Sequence, residues 1–380
     1  MDGSGIRIVS WTVSTADVAV SSPIAGTAAS SSMAHGQISA PYTVHTRSGR
    51  TALTVERFLR AKGCSHHVLT LLKRTDHGIL LNGVWAYANQ PVKPGDEVTI
   101  RVEEAVGSEQ IMPIPLALSI VYEDEDVLVV DKPSDMPVHP SAGNYENTLA
   151  NAVMYYYSSK GIPFVFRCVT RLDRDTTGLV LLAKNSLSSA ILSDHSAHRQ
   201  IHREYLAIVE EMLPESGTID LPIARLEGSP LMRCVNLEKG ERAVTHYQRL
   251  AVCQRKEAAF SMYQDADTSE ILKGFASPAV SRKFAYTDKY HALPDVLSLA
   301  SVRLETGRTH QIRVHMKAIG HPLPGDFLYN PDSVCELAPR QTLHSYRITF
   351  AHPITGETLS FVSELPEDMR RLLAYYDPAE

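Results

Sequence analysis

Cysteine is scarce: five residues in 380, at positions 64, 168, 234, 253 and 335, with no C-x-x-C pair. A disulfide framework or zinc ribbon is therefore not expected, and a reducing, cytoplasmic setting is. Long apolar runs are also missing. The most apolar stretch, 111–130, is broken by Pro113, Pro115 and the acids from Glu123 to Asp126. Nothing approaches the roughly 20 residues that span a bilayer, so no membrane partner is expected. There is no G-x-G-x-x-G and no P-loop, the usual cradles for dinucleotides and nucleoside triphosphates. Excess positive charge is lacking too: 37 Lys and Arg stand against 43 Asp and Glu, a net −6. Any polyanion-binding surface must be local.

What is present divides into three stretches. Residues 1–40 hold nine serines, seven alanines and one base, Arg7. That composition predicts disorder, with an edge strand around Ile6 to Val13 as the alternative; Met33 is a second candidate start. Residues 41–105 read as two short helices and a small sheet. Val55, Phe58 and Leu59 share one helical face, and Ser65 can cap a second helix carrying Val68, Leu69 and Leu72. Strands follow at Ile79 to Leu81 and Val98 to Ile100, separated by the turns Asn82-Gly83 and Pro94-Gly95-Asp96. Nine bases against six acids make this unit locally positive. Arg57, Arg60, Lys73 and Arg74 are its candidate phosphate contacts; solvated helix faces are the plain alternative.

From 113 to 376 the chain reads as a larger catalytic-sized domain. Strands are expected at Leu118 to Tyr122 and Val127 to Asp131, around a solvated acidic turn. A helix is expected from Asn147 to Tyr157. Three segments carry chemistry. In Arg171-Leu172-Asp173-Arg174-Asp175-Thr176-Thr177-Gly178, a charged cluster precedes the apolar strand 179–183. Loops at strand ends are where sites are built. Arginines flanking Asp173 favour its ionised form, which is already a nucleophile at neutral pH. A structural salt-bridge loop is the alternative. In the segment from Leu304 to His315, Arg308 falls at a strand–helix junction, with Thr309 as expected N-cap and Ile312, Met316 and Ile319 on the buried face. In Arg203 to Val209, Tyr205 begins a buried strand and reads by default as a core aromatic. Upstream, His195, His198 and His202 could share a helix face. Interleaved Arg199 and Arg203 oppose a metal there, so no metal is expected and a basic face is.

Taken together, these segments resemble the RluA-type pseudouridine synthases. R-L-D-R-D-T-T-G-L and T-G-R-T-H-Q-I-R-V-H resemble that family's two hallmarks. V-Y-E-D-E-D-V-L-V-V-D-K-P, R-E-Y-L-A-I-V and A-V-T-H-Y fall in its order. Residues 54–101, with G-I-L-L-N-G-V and V-K-P-G-D-E-V, resemble the small RNA-binding domain named after ribosomal protein S four. The resemblance implies an α+β protein: a catalytic domain with a mixed, mainly antiparallel central sheet, preceded by a small α/β RNA-binding domain. It implies RNA as partner (ribosomal first, transfer RNA second), a monomer, and no cofactor. It implies that Asp173 is the nucleophile, Tyr205 the residue stacking on the base, Arg308 the arginine paired with Asp173, and Arg171 the residue holding the flipped nucleotide's place. Leu304 would form part of the apolar wall. Residues 264–297, a departure from the family pattern, are expected to be a surface insertion. A catalytically silent RNA-binding protein and an aspartate-based nucleoside hydrolase are the competing classes.

Overall fold

The computed structural model describes residues 5–19, 52–104, 108, 110–141, 143–255 and 293–378. The first unit contains β1 (Ile6–Thr12), α1 (Thr15–Ala19), α2 (Val55–Ala61), α3 (His66–Arg74), β2 (Ile79–Leu81), β3 (Val84–Trp85) and β4 (Glu97–Glu103). Thr54 and Ser65 cap α2 and α3 through their side chains. Four strands pair in the order β1-β4-β2-β3, all antiparallel. Val9, Phe58, Leu59, Leu69, Leu72, Val98 and Ile100 bury the face shared with the helices.

Disorder over 1–40 does not hold for its start. Ile6 to Thr12 form the edge strand of this sheet. The reason is burial on one face, with Val9 and Val13 inside the core, where the polar composition of the neighbouring stretch had outweighed their spacing. Positions 20–40 lie outside the described residues.

The second unit runs β5 (Ser119–Glu123), β6 (Val127–Lys132), α4 (Leu149–Ser158), β7 (Arg167–Cys168), β8 (Thr177–Ala183), α5 (Ser186–Ala197) and β9 (His202–Glu210). It continues through β10 (Ser216–Asp220), β11 (Ile223–Arg225), β12 (Arg233–Val235), β13 (Val244–Arg255), β14 (Val296–Leu304) and α6 (Gln311–Ala318). It closes with β15 (Leu343–Ala351), β16 (Thr358–Val362), α7 (Glu367–Ala374) and β17 (Tyr376–Pro378). An eleven-stranded sheet has the path β10-β13-β14-β9-β15-β8-β6-β5, with β16, β17 and β7 as side pairings. The β8–β15 pairing is parallel and the other described pairings of this sheet are antiparallel. Strand β8 is buried along its whole length. Its even-numbered residues Val180 and Leu182 pack under α4, while Leu179 and Leu181 face α5 and Phe350. A strand covered on both faces reads as an unbroken apolar run.

Gly178 is required where β8 meets β15. Its φ is +106°, and a Cβ there would stand 2.3 Å from the Ser345 carbonyl oxygen. Any side chain would push apart the strands that align the site.

The acidic turn is not a solvated hairpin. Asp126 is buried and accepts from Arg7, Asn185 and Ser188. Glu123 takes hydrogen bonds from Tyr156, Tyr157 and Lys184. A buried carboxylate needs such partners, and Arg7, 119 residues away in sequence, supplies the cation. This contact also fastens the two units together. Glu104 accepts from Arg167 and from the Ser186 N–H, while Leu187 and Ile191 of α5 enter the first unit's core. The expected insertion is trimmed at its end, because Val296 and Leu297 begin β14 and Leu297 is buried. Its positions 264–292 lie outside the described residues.

Candidate active site

The site forms where the loop before β8, the start of β9, the end of β14 and the start of α6 converge. Register brings them together: Tyr205 lies opposite both Val302 and Ser345, and Ser345 opposite Gly178. The Asp173 loop is pinned from below. Lys132, fully buried, donates to the carbonyls of Pro133, Met136 and Arg174. Burial draws its pKa down to about 7. Arg340 donates to the Asp175 carbonyl, and Gln341 to the Thr176 hydroxyl. Asp173 is thus held on a rigid loop with its side chain 24% exposed.

Two adjoining concavities meet at Asp173. An inner recess of about 70 Å³ is lined by Asp173, Tyr205, Leu304, His310, Ile312 and Arg313, among others. An outer cleft of about 620 Å³ carries His139, Arg171, Arg199, Arg203 and Arg308 on its walls. Arg171, Leu172, Asp173, Arg203, Gly307 and Arg308 border both.

The arginine paired with Asp173 is Arg313, not Arg308. Arg313 Nη1 donates to Asp173 Oδ2 at 3.1 Å. Its other edge makes a two-pronged bond to Asp326, with Nε and Nη2 each at 2.7 Å from a carboxylate oxygen. Arg313 and Asp326 are both almost fully buried, and the Asp326 bonds and charge, reinforced by Asp173, raise the Arg313 pKa against its desolvation. The cation is permanent. Arg308, on the shared border, instead pairs with Glu241 and donates to the Arg242 carbonyl.

The local backbone explains the exchange. His310, not Thr309, is the residue before α6, in the left-handed region at φ 58°, with no side-chain cap bond. The helix therefore starts at Gln311 and turns Arg313 inward with Ile312 and Met316. The Gln311 side chain ties the helix start to the preceding loop and to β13, accepting from the Arg308 N–H and the Thr306 hydroxyl while donating to Val244 O and Thr245 Oγ1. His310 Nδ1 meets the Tyr329 hydroxyl at 2.8 Å, and its Nε2 stands 4.0 Å from Asp173 Oδ2.

Tyr205 is buried against the recess, and burial pushes its phenol up, opposed by Arg203 and reinforced by Asp173. The phenol is therefore protonated at neutral pH. Arg171 and Leu304 line the recess. The histidine face does not form: α5 ends at Ala197, His198 caps it, and His202 already belongs to β9. In the first unit, Arg60 and Lys73 both bridge to Glu56, while Arg74 is exposed.

His139, His310, His315 and His344 are all held below the usual imidazole pKa, by burial above every other cause. An unfolded chain therefore takes up protons at these positions before the folded one does. The contribution of these four histidines to stability should be full above pH 6.5 and fall as pH drops through 6.5 toward the folded values. Urea midpoints at pH 7.5 and 5.5 check this; an unchanged or higher midpoint at pH 5.5 contradicts it.

A carboxylate tethered to a buried arginine, at the floor of a cation-lined cleft on a mainly antiparallel sheet, is the equipment of an enzyme that handles a polyanion. Residues 126–318, half of the chain, match the family model described as RNA pseudouridylate synthase. The chain is 34% identical over 322 residues to an uncharacterized RNA pseudouridine synthase, YjbO, of Bacillus subtilis, covering 84% of this chain and 98% of that protein. It is 37% identical over 272 residues to the ribosomal large subunit pseudouridine synthase D of Zymomonas mobilis, covering 68% of this chain and 73% of that one. The chain belongs to the RNA pseudouridine synthase family and is an isomerase. The family match begins after the first unit. Among the described residues, no helix is long and apolar enough to cross a membrane.

Proposed function

We propose that this RNA pseudouridine synthase modifies uridines in ribosomal RNA, with Asp173 as nucleophile. The observation that carries the mechanism is the Arg313–Asp173 pair at the junction of recess and cleft. The ribosomal reading draws support from the Zymomonas mobilis relative, named for the large ribosomal subunit.

The target uridine leaves its stack, at a cost of a few kcal/mol, and its base enters the recess against Tyr205. Arg171, on the shared wall, occupies the vacated place. Asp173 adds covalently to the nucleotide. The N1–C1′ bond breaks, the base turns, and C5 joins C1′. One proton leaves C5, one is gained at N1, and the carboxylate is released. No electrons and no water enter the balance. Leu172, Leu304, Ile312 and Leu343 wall the recess and keep water from the detached base. The first unit adds phosphate contacts through Arg57, Arg60, Lys73 and Arg74, its helix pair acting as the RNA grip that the S-four-like pattern implies.

A protonated Tyr205 serves as a stacking wall and, through its hydroxyl, as a relay: its oxygen takes the C5 proton as its own proton passes to N1. Tyr205→Phe should keep RNA affinity within about threefold while slowing tritium release from C5-labelled uridine by about 10²-fold, the range of a lost acid–base group. Undiminished release would remove the hydroxyl from the mechanism. The target itself is tested by chemical mapping of pseudouridine in cells with and without the gene. A ribosomal position lost on deletion and restored by the intact protein supports the proposal; a lost transfer-RNA position alone overturns the ribosomal reading.

A further inference from the structure

Two arginines and a histidine, from two distant segments, converge on one acid at the wall of the outer cleft. Arg199, just after α5, donates to Glu305 Oε2 at 2.9 Å. Arg242, before β13, reaches the same oxygen at 3.3 Å. His246, on β13, meets Oε1 at 3.0 Å, while its other ring nitrogen meets Thr218 Oγ1. The Glu305 backbone is itself fixed, its N–H donating to the Val244 carbonyl. Asp173 and Glu305 are the two acids among the residues lining the cleft. Asp173 has its arginine and its proposed chemistry; Glu305 has no part in that chemistry, yet it places negative charge in a cleft meant for a polyanion.

We propose that Glu305 is a phosphate stand-in: it holds Arg199, Arg242 and His246 together in the free enzyme and is displaced from them by a backbone phosphate of the RNA. A phosphodiester offers the same singly charged pair of oxygens that the Glu305 carboxylate offers. The site it would take lies on the cleft that opens onto Asp173, so it is filled when a neighbouring nucleotide is seated in the recess. Glu305 then acts on specificity. RNA held only by scattered phosphate contacts must compete with a tethered carboxylate, and RNA that seats a nucleotide has extra binding energy to displace it. The arginines are exposed enough to swing, with side chains 53% and 55% accessible. The bond from His246, ahead of the arginine charges, holds the Glu305 carboxyl below the usual carboxylate range, so the competitor is charged at neutral pH.

The inference rests on the RNA-synthase reading and is tested apart from it. The probe is a uridine-free hairpin RNA, which binds without reacting, titrated at several salt concentrations against the full chain. Glu305→Gln keeps the shape and removes the charge. It should tighten binding about three- to tenfold and steepen the log–log salt slope by roughly 0.7 to 0.9, the increment of one added phosphate contact. Adding Arg199→Ala to Glu305→Gln should return most of that gain. Unchanged or weaker binding by Glu305→Gln, with an unchanged slope, overturns the stand-in while leaving the enzyme reading intact. Failure of the wild-type chain to bind any RNA at low salt overturns both.

Discussion

Arg313→Ala should slow pseudouridine formation by about 10²–10³-fold and weaken the fold, while Arg308→Ala should do neither. Among the described residues Arg313 is the cation paired with Asp326, and Asp326 is fully buried. Removing one partner of a buried pair typically costs about 3–5 kcal/mol, because the remaining charge has no water to return to. The same substitution strips Asp173 of its 3.1 Å donor. Losing a preorganised charge contact at a reacting centre costs about 10²–10³-fold in rate. Arg313→Lys separates the two effects. An ammonium can neutralise Asp326 but cannot bridge both carboxylates as the planar fork does. It should therefore recover much of the stability and little of the rate. Arg308 makes exposed contacts to Glu241 and the Arg242 carbonyl. Surface pairs are worth about 0–1 kcal/mol, so Arg308→Ala should leave the melting curve in place and cost no more than about tenfold, through weaker RNA binding. Thermal unfolding and C5 tritium release on the three variants decide it. A dead Arg308→Ala beside an active Arg313→Lys would reverse the assignment.

Asp173→Asn is expected to lose activity by about 10⁴-fold or more, the scale seen when a covalent nucleophile is removed, with no loss of stability. The amide fills the same space and still accepts from Arg313 Nη1. It also removes one of two anions sharing a single guanidinium, so unfolding should shift little or slightly upward. RNA binding should persist, since the cleft's cations are untouched. An unfolded or non-binding Asp173→Asn would mean that Asp173 is structural, the salt-bridge loop that its sequence context equally allowed.

The sequence made the two units and most of their elements legible because those elements follow local rules. The α3 cap Ser65, the apolar run of β8 and the α4 helix each announce themselves within a few residues. Asp173, Tyr205, Arg171 and Leu304 were named through their segments' resemblance to the pseudouridine synthase motifs, Tyr205 reading on its own residues as a core aromatic; all four line the recess. What was missed is long-range or depends on one backbone angle. Two arginines, five residues apart, share the segment after Leu304, and choosing between them requires knowing that His310 turns left-handed and starts the helix at Gln311. One signal was available, since Arg313 is three residues before the buried Met316 on the inward side of the helix. Asp326, which locks Arg313, lies 13 residues further along and carries no mark in the sequence. The buried acidic turn was misread for the same reason, its cation being Arg7 in the other unit. The Glu305 cluster was invisible for that reason as well, drawing partners 59 to 106 residues away.

The most direct test of the account is to quench a single-turnover reaction of the wild-type chain with substrate RNA, digest it, and locate any nucleotide-bearing peptide by mass spectrometry. The account predicts an adduct on the peptide containing Asp173, absent from Asp173→Asn, and no pseudouridine from that variant. Normal pseudouridine formation by Asp173→Asn, or an adduct on another side chain, would contradict it.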